Sequence, residues 1–241
     1  MPAIDPDRLA RQLADLAPLA SDPSALATAV IKLADEYVDR TARRPAEESG
    51  LPGPVHRAVL HALQLALKNE PEAAARAAEG LWRKAPIAAK LLAAGLLGSY
   101  PDGFAADLAQ DWAADTVLGE VIRQLGEVGL TTWRRTHPSE FLERAEDWLA
   151  GRPRLLALYA LRAAVQESEF EDLPAVFRLL DGVGGRVRGE SKRVFTRLIE
   201  ALAIRSASET AQFVLGQVAS GGSGTAWMRA LLSDRASRSP P

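Results

Sequence analysis

From Asp5 onward, apolar residues recur at helical spacing, and no alternating strand pattern longer than a few residues interrupts them. Leu9, Leu13, Leu16 and Leu19 form one stripe behind Asp5 and Asp7, two N-terminal caps, and predict a first helix to about Leu19. A second helix is expected from Pro23 to about Arg40, with Ala29, Ile31, Leu33 and Val38 turned inward. Residues 41–53, TARRPAEESGLPG, read as the longest loop of the first half. The chain then becomes rhythmic, with helices predicted over 54–68, 71–83, 86–98, 103–113, 115–128, 138–150, 153–167, 171–182, 189–205, 207–219 and 224–233. Most joints carry proline, which starts a helix and stops the one before it: Asn69-Glu70-Pro71, Ala85-Pro86, Tyr100-Pro101, His137-Pro138, Arg152-Pro153.

Within this rhythm one stretch is unlike the rest. LWRKAPIAAKLLAAGLLG, residues 81–98, runs from a tryptophan and two bases through proline into alanine, leucine and glycine. Its apolar part, Pro86–Gly98, is too short to span a bilayer and contains Lys90, so a membrane segment is not expected. A helix apolar on nearly every side is one with neighbours on several sides.

Consecutive helices with short joints predict an all-α fold of stacked antiparallel pairs, a HEAT-like helical-repeat solenoid with degenerate repeats. An irregular helical bundle is the alternative. A single domain is expected over 1–234, with 235–241 as a disordered tail.

Composition narrows the chemistry. The 241 residues include no cysteine, which removes disulfides, thiolate catalysis and cysteine metal sites and fits a reducing cytoplasm. The first residues lack a basic segment followed by an apolar run, so no secretory signal is expected and the expected location is cytoplasmic. His56 and His61 are five apart and do not share a helical face as a metal pair would; no metal or cofactor is expected. The glycine clusters at 182–185 and 221–224 follow helices rather than strands and read as turns. Net charge is −2 but uneven: 12 Lys and Arg face 17 Asp and Glu in residues 1–120, and 17 face 14 in residues 121–241. An anionic partner should prefer the second half.

Three constellations stand out. In DWAAD, Trp112 and Asp115 would share a face of a continuous helix, where a carboxylate beside an indole could hold a cation; a core tryptophan with a capping aspartate is the plainer alternative. In TTWRRTHP, Trp133 beside Arg134 and Arg135 could stack on a base or clamp phosphate, or simply close a loop over the core. Residues 185–205 carry Arg186, Arg188, Lys192, Arg193, Arg197 and Arg205 against Glu190 and Glu200. Cations at a helix start oppose the macrodipole, which an external anion would relieve; a solvated ridge is the other reading.

LWRKAPIAAKLLAAGLLG, the Asp111-Trp112 pair, HPSEFLERAEDWLAG, RPRLLALYAL and SASETAQFVLGQV together resemble the AlkD-like DNA alkylation repair family over about residues 55–218. The resemblance implies a curved solenoid that cradles duplex DNA on its concave face. In active members, it further implies metal-free excision of cationic N-alkylated purines by indoles, an aspartate and an arginine. Trp112 and Asp115 are the implied counterparts of a tryptophan and the aspartate. Arg152-Pro153-Arg154-Leu155 stands where the family has a tryptophan and two arginines; the tryptophan is absent and Leu155 replaces the second arginine. Where a later tryptophan is expected, Arg193–Arg205 offers only Phe195.

The expectation is therefore a catalytically degenerate member, a monomer binding duplex DNA or a protein partner. An active glycosylase using Asp115 and Trp112, or a protein scaffold without DNA binding, are the alternatives.

Overall fold

The computed structural model describes residues 5–19, 22–37, 50–84, 86–100, 103–220 and 225–231. Among them every regular element is helical. The helices are α1 (Pro6–Ala14), α2 (Pro23–Tyr37), α3 (Gly53–Ala66), α4 (Pro71–Trp82), α5 (Ile87–Leu97) and α6 (Phe104–Asp115). They continue as α7 (Gly119–Gln124), α8 (Thr131–Thr136), α9 (Pro138–Ala150), α10 (Arg154–Gln166), α11 (Leu173–Leu179), α12 (Gly189–Arg205) and α13 (Ala207–Ser220). No helix among the described residues is long and apolar enough to cross a membrane. The expected tail at 235–241 lies outside the described residues, as do most of the expected 41–53 loop and residues 38–40 at the end of the second predicted helix.

Local chemistry sets the boundaries. Asp5 caps α1 by accepting from the amides of Asp7 and Arg8, at 3.0 and 3.2 Å. That helix stops at Ala14 rather than Leu19 because the Pro18 ring would collide with the Ala14 carbonyl; Ala17–Leu19 form a 3₁₀ turn instead. Asp22 and Asp172 cap α2 and α11 through backbone amides.

The break expected at residue 114 falls later. α6 runs through Asp115, and Thr116 Oγ1 accepts from the Leu118 amide at 3.2 Å, a side-chain turn that competes with helix and leaves Val117 96% exposed. The expected 115–128 helix is accordingly a short α7 followed by a π-helical turn at Leu125–Gly129. TTWRRT, expected as a joint, is itself the helical turn α8. The expected 224–233 helix falls partly outside the described residues, and within them Ala226–Met228 is a 3₁₀ turn that runs on into α-helical backbone at 229–231.

The described residues fall into two compact units: one within Met1–Ala109 and Val128–Trp133, the other within Gln110–Glu127 and Arg134–Pro241. The first is organised about α5. Ten of its eleven residues are buried, all but Lys90, whose ammonium lies 4.9 Å from the Trp82 ring centroid. Helices α2, α3 and α4 cover it. Each fully buried leucine there contributes about 1.5–3 kcal/mol relative to exposure. Small residues let the backbones close in: a Cβ on Gly98 would lie 2.4 Å from the Val128 carbonyl oxygen, and one on Gly95 2.7 Å from Leu60.

The second unit repeats the plan about α10, in which Leu156 through Leu161 and Ala163 through Val165 are buried and α7, α9 and α12 pack around them. The π turn rests directly on this helix, since a Cβ on Gly126 would meet Tyr159, the Ala160 nitrogen and the Leu156 carbonyl at 2.7–3.0 Å. Phe141, Ala145, Trp148 and Leu149 form the buried stripe of α9, and Trp148 Nε1 donates to Gln110 Oε1 at 2.7 Å.

Gly98 offers the sharpest test of the packing in the first unit. Gly98→Ala forces a methyl against a backbone carbonyl, and should lower unfolding free energy by about 1–3 kcal/mol in a urea titration, whereas Gly103→Ala, whose methyl would enter open space, should not.

Candidate functional site

The basic run of the C-terminal half is carried by the second unit. Val187 is buried while Arg186 and Arg188 stand out, and Gly189 enters α12 with φ +52, a left-handed backbone that suits glycine. Arg188 Nη1 donates to the carbonyls of Gly185 (2.9 Å) and Val187 (2.7 Å). Lys192 Nζ sits 4.5 Å from the Trp227 ring centroid, a cation–π contact. Arg193 and Arg197 are one turn apart and exposed. Among the described residues neither their side chains nor that of Arg186 make an ion pair or hydrogen bond. Glu190 is turned to other work: it accepts from the Tyr159 hydroxyl at 2.8 Å and lies against Gly119, where a Cβ would come within 2.4 Å of its carboxylate.

Arg134 and Arg135 have a different fate from the expected phosphate clamp. Arg134 is only 4% exposed. Its guanidinium binds Glu167 Oε1 through Nε and Nη2, and donates to the carbonyls of Gly126 (3.2 Å) and Glu127 (3.1 Å) in the π turn. Arg135 takes the other oxygen, Nε to Glu167 Oε2 at 2.9 Å. Burial pushes Arg134 below the usual arginine range, while Glu167 raises Arg135. Arg134 is thus withdrawn from any external anion, because carbonyls and a carboxylate already occupy its donors. Trp133, 1% exposed, is equally withdrawn from stacking on a base.

The remaining predicted cations divide in the same way. Arg154 Nε donates to the Leu149 carbonyl at 2.9 Å, and Arg205 holds the carbonyl of Val165 in the last turn of α10 and those of Glu167 and Phe170 beyond it, at 2.7–3.0 Å. Arg152 is exposed. Trp112 and Asp115 do lie on one continuous helix, but Trp112 is 6% exposed, whereas Asp115, its last residue, is exposed. The indole faces the core and the carboxylate faces water, so they do not line one open pocket. No group of three His, Asp or Glu close enough for a metal occurs among the described residues.

Sequence reasoning missed the polar seam along α10. Tyr159 pairs with Glu190, and three residues on Arg162 pairs with Glu127, its guanidinium 5.9 Å from the Tyr159 ring centroid. The signal was present as a tyrosine and an arginine at i, i+3 in an otherwise apolar helix. Burial first, and then the bond to Glu190, pushes the Tyr159 phenol up to about 12.

Compared with known proteins, the chain finds no match among family models, curated proteins or solved structures. What it can do rests on its own residues.

Two predictions follow from these pairs. Glu167→Ala leaves the Arg134 charge buried and unpaired and should cost about 3–5 kcal/mol of unfolding free energy. Arg135→Ala, removing an exposed partner, should cost less than about 1 kcal/mol in the same denaturant titration. Separately, folded Tyr159 holds its proton after an unfolded tyrosine has lost it near pH 10. Its stabilising contribution is therefore complete below about pH 10 and lost as pH rises through about 12. Phenolate absorbance should show a tyrosine phase near pH 12, and Tyr159→Phe should remove it.

Proposed function

We propose that this chain is a catalytically degenerate, HEAT-like helical protein of the AlkD-like type that binds duplex DNA without excising bases. One observation carries the reading: the side chains of Arg186, just before α12, and of Arg193 and Arg197, in its first half, are exposed and unengaged among the described residues, while most other arginines of that unit are spent on carbonyls and carboxylates. Guanidiniums held in water on one short segment are what a phosphate backbone recruits. The all-helical fold and the resemblance over residues 55–218 support the solenoid part of the reading.

Excision is the weaker reading. It requires aromatic walls and a carboxylate acting on one developing charge, and Trp112 is buried while Asp115 is not. A protein scaffold is the remaining alternative, separated by the salt dependence below.

Fluorescence anisotropy with a short labelled duplex tests the proposal. Three phosphate contacts predict a log–log salt slope of about −2.7, or roughly forty-fold weaker binding at 200 mM than at 50 mM salt. Reversing Arg186, Arg193 and Arg197 to glutamate should abolish binding, and methylated duplex should release no free purine. Binding that is absent, salt-independent or untouched by the reversals overturns the proposal in favour of a scaffold. Purine release that Asp115→Asn abolishes overturns it in favour of a glycosylase.

A further inference from the structure

The first unit contains a groove of about 530 Å³ that the DNA reading does not use. Its walls follow from where helices end. The buried stripe of α3 is Val55, Val59 and Leu63, continued by Leu67 just past its end, which leaves His61, Gln64 and Leu65 along another side of the helix and Lys68 exposed in the turn after it. Opposite them, α5 ends at Leu97, and the chain turns through Gly98 and Ser99 to Tyr100. The start of α4, Pro71 and Ala74, closes one end.

Two hydroxyls fix this frame. Tyr100 donates to the Pro71 carbonyl, which holds its ring in the wall, and Thr132 donates to the Gly98 carbonyl. Four other polar side chains lining the groove, His61, Gln64, Lys68 and Ser99, make no hydrogen bond or ion pair among the described residues. Within the same walls Leu65 is 66% exposed, although Leu63, two residues earlier on the helix, is fully buried.

The charge of the lining is one-sided. Lys68 contributes a cation, His61 and Gln64 contribute donors, and no Asp or Glu lines the groove among the described residues. This contrasts with a second cavity, about 390 Å³ in the second unit, where Glu167, Glu169, Glu171 and Asp172 crowd around two arginines already engaged with Glu167. The volume of the first groove falls within the range of small-molecule sites, and a mostly apolar wall with a few convergent polar groups is their usual composition.

We propose that this groove binds a small organic anion with an apolar body, a carboxylic acid of aromatic or medium-chain aliphatic type. The carboxylate sits at Lys68, within reach of the Gln64 and His61 donors. The body covers Leu65 and lies against Leu96 and Tyr100. Charge complementarity selects an acid over an amine, since an ammonium would meet Lys68 with no carboxylate to receive it. The exposed leucine selects an apolar body over a bare inorganic anion.

Titration of the full chain with 2-naphthoate and with decanoate, followed by isothermal calorimetry, tests this. At least one acid should bind saturably with one-to-one stoichiometry. Lys68→Gln should weaken binding about tenfold, Lys68→Arg should retain it, and Leu65→Asp should remove it. All three changes are at exposed positions, so circular dichroism and melting temperature should stay as in the parent. Lys84→Gln, at an exposed lysine outside the groove, should leave binding unchanged. Absence of saturable binding by both acids overturns the proposal. So does equal binding of uncharged 2-naphthamide, or a Lys68→Gln protein that binds as tightly as the parent. None of these outcomes depends on whether the α12 arginines bind DNA.

Discussion

A helix buried over most of its circumference must be covered from several directions at once, and this chain carries two of them. In the first unit α5 is enclosed by α2, α3 and α4; in the second α10 is enclosed by α7, α9 and α12. The remaining features follow from that enclosure. Neighbouring backbones can approach only where side chains are small, hence Gly95 and Gly98 beside α3 and Val128, and Gly126 against α10. The π turn at Leu125–Gly129 is part of the cover on α10, and its widened backbone leaves the Gly126 and Glu127 carbonyls to a guanidinium.

That guanidinium shows how the second unit distributes its positive charge. Arg134, Arg154 and Arg205 each complete backbone carbonyls, and Arg188 does so at the entry to α12. These arginines serve the fold as donors. Arg186, Arg193 and Arg197 differ only in where the chain puts them, on exposed surface where their side chains form no hydrogen bond or ion pair among the described residues. The two kinds are chemically identical, and only geometry separates an internal fastening from a display.

This explains what could be read from the sequence. Periodicity located the long helices and identified residues 86–98 as an inner helix, because an all-round apolar pattern has one physical meaning at that length. Proline and aspartate located most starts. The α6 end was misplaced because it depends on one Thr116 hydroxyl finding the Leu118 amide, a choice that propensity does not encode. α8 was missed because six residues carry too little periodicity to register. The candidate site was the least legible part. Arg134 and Arg135 are adjacent in sequence, yet one is buried against Glu167 and the other exposed, and the partner lies 33 residues away from Arg134. The pairing of Tyr159 with Glu190 spans 31 residues and was equally out of reach of local patterns.

The close approach at Gly98 has a consequence for how the sequence can drift. Leucines and alanines dominate the composition, but within the core one aliphatic residue substitutes for another of similar volume at a cost below about 1.5 kcal/mol. Gly98 has no such latitude, because the atom it faces is a main-chain oxygen that no side-chain rearrangement can move. Sequence tolerance therefore runs opposite to abundance. The numerous residues that build the core are exchangeable, and the few that permit contact are fixed. A distant descendant of this fold would keep the spacing of those glycines long after its leucines had been rewritten.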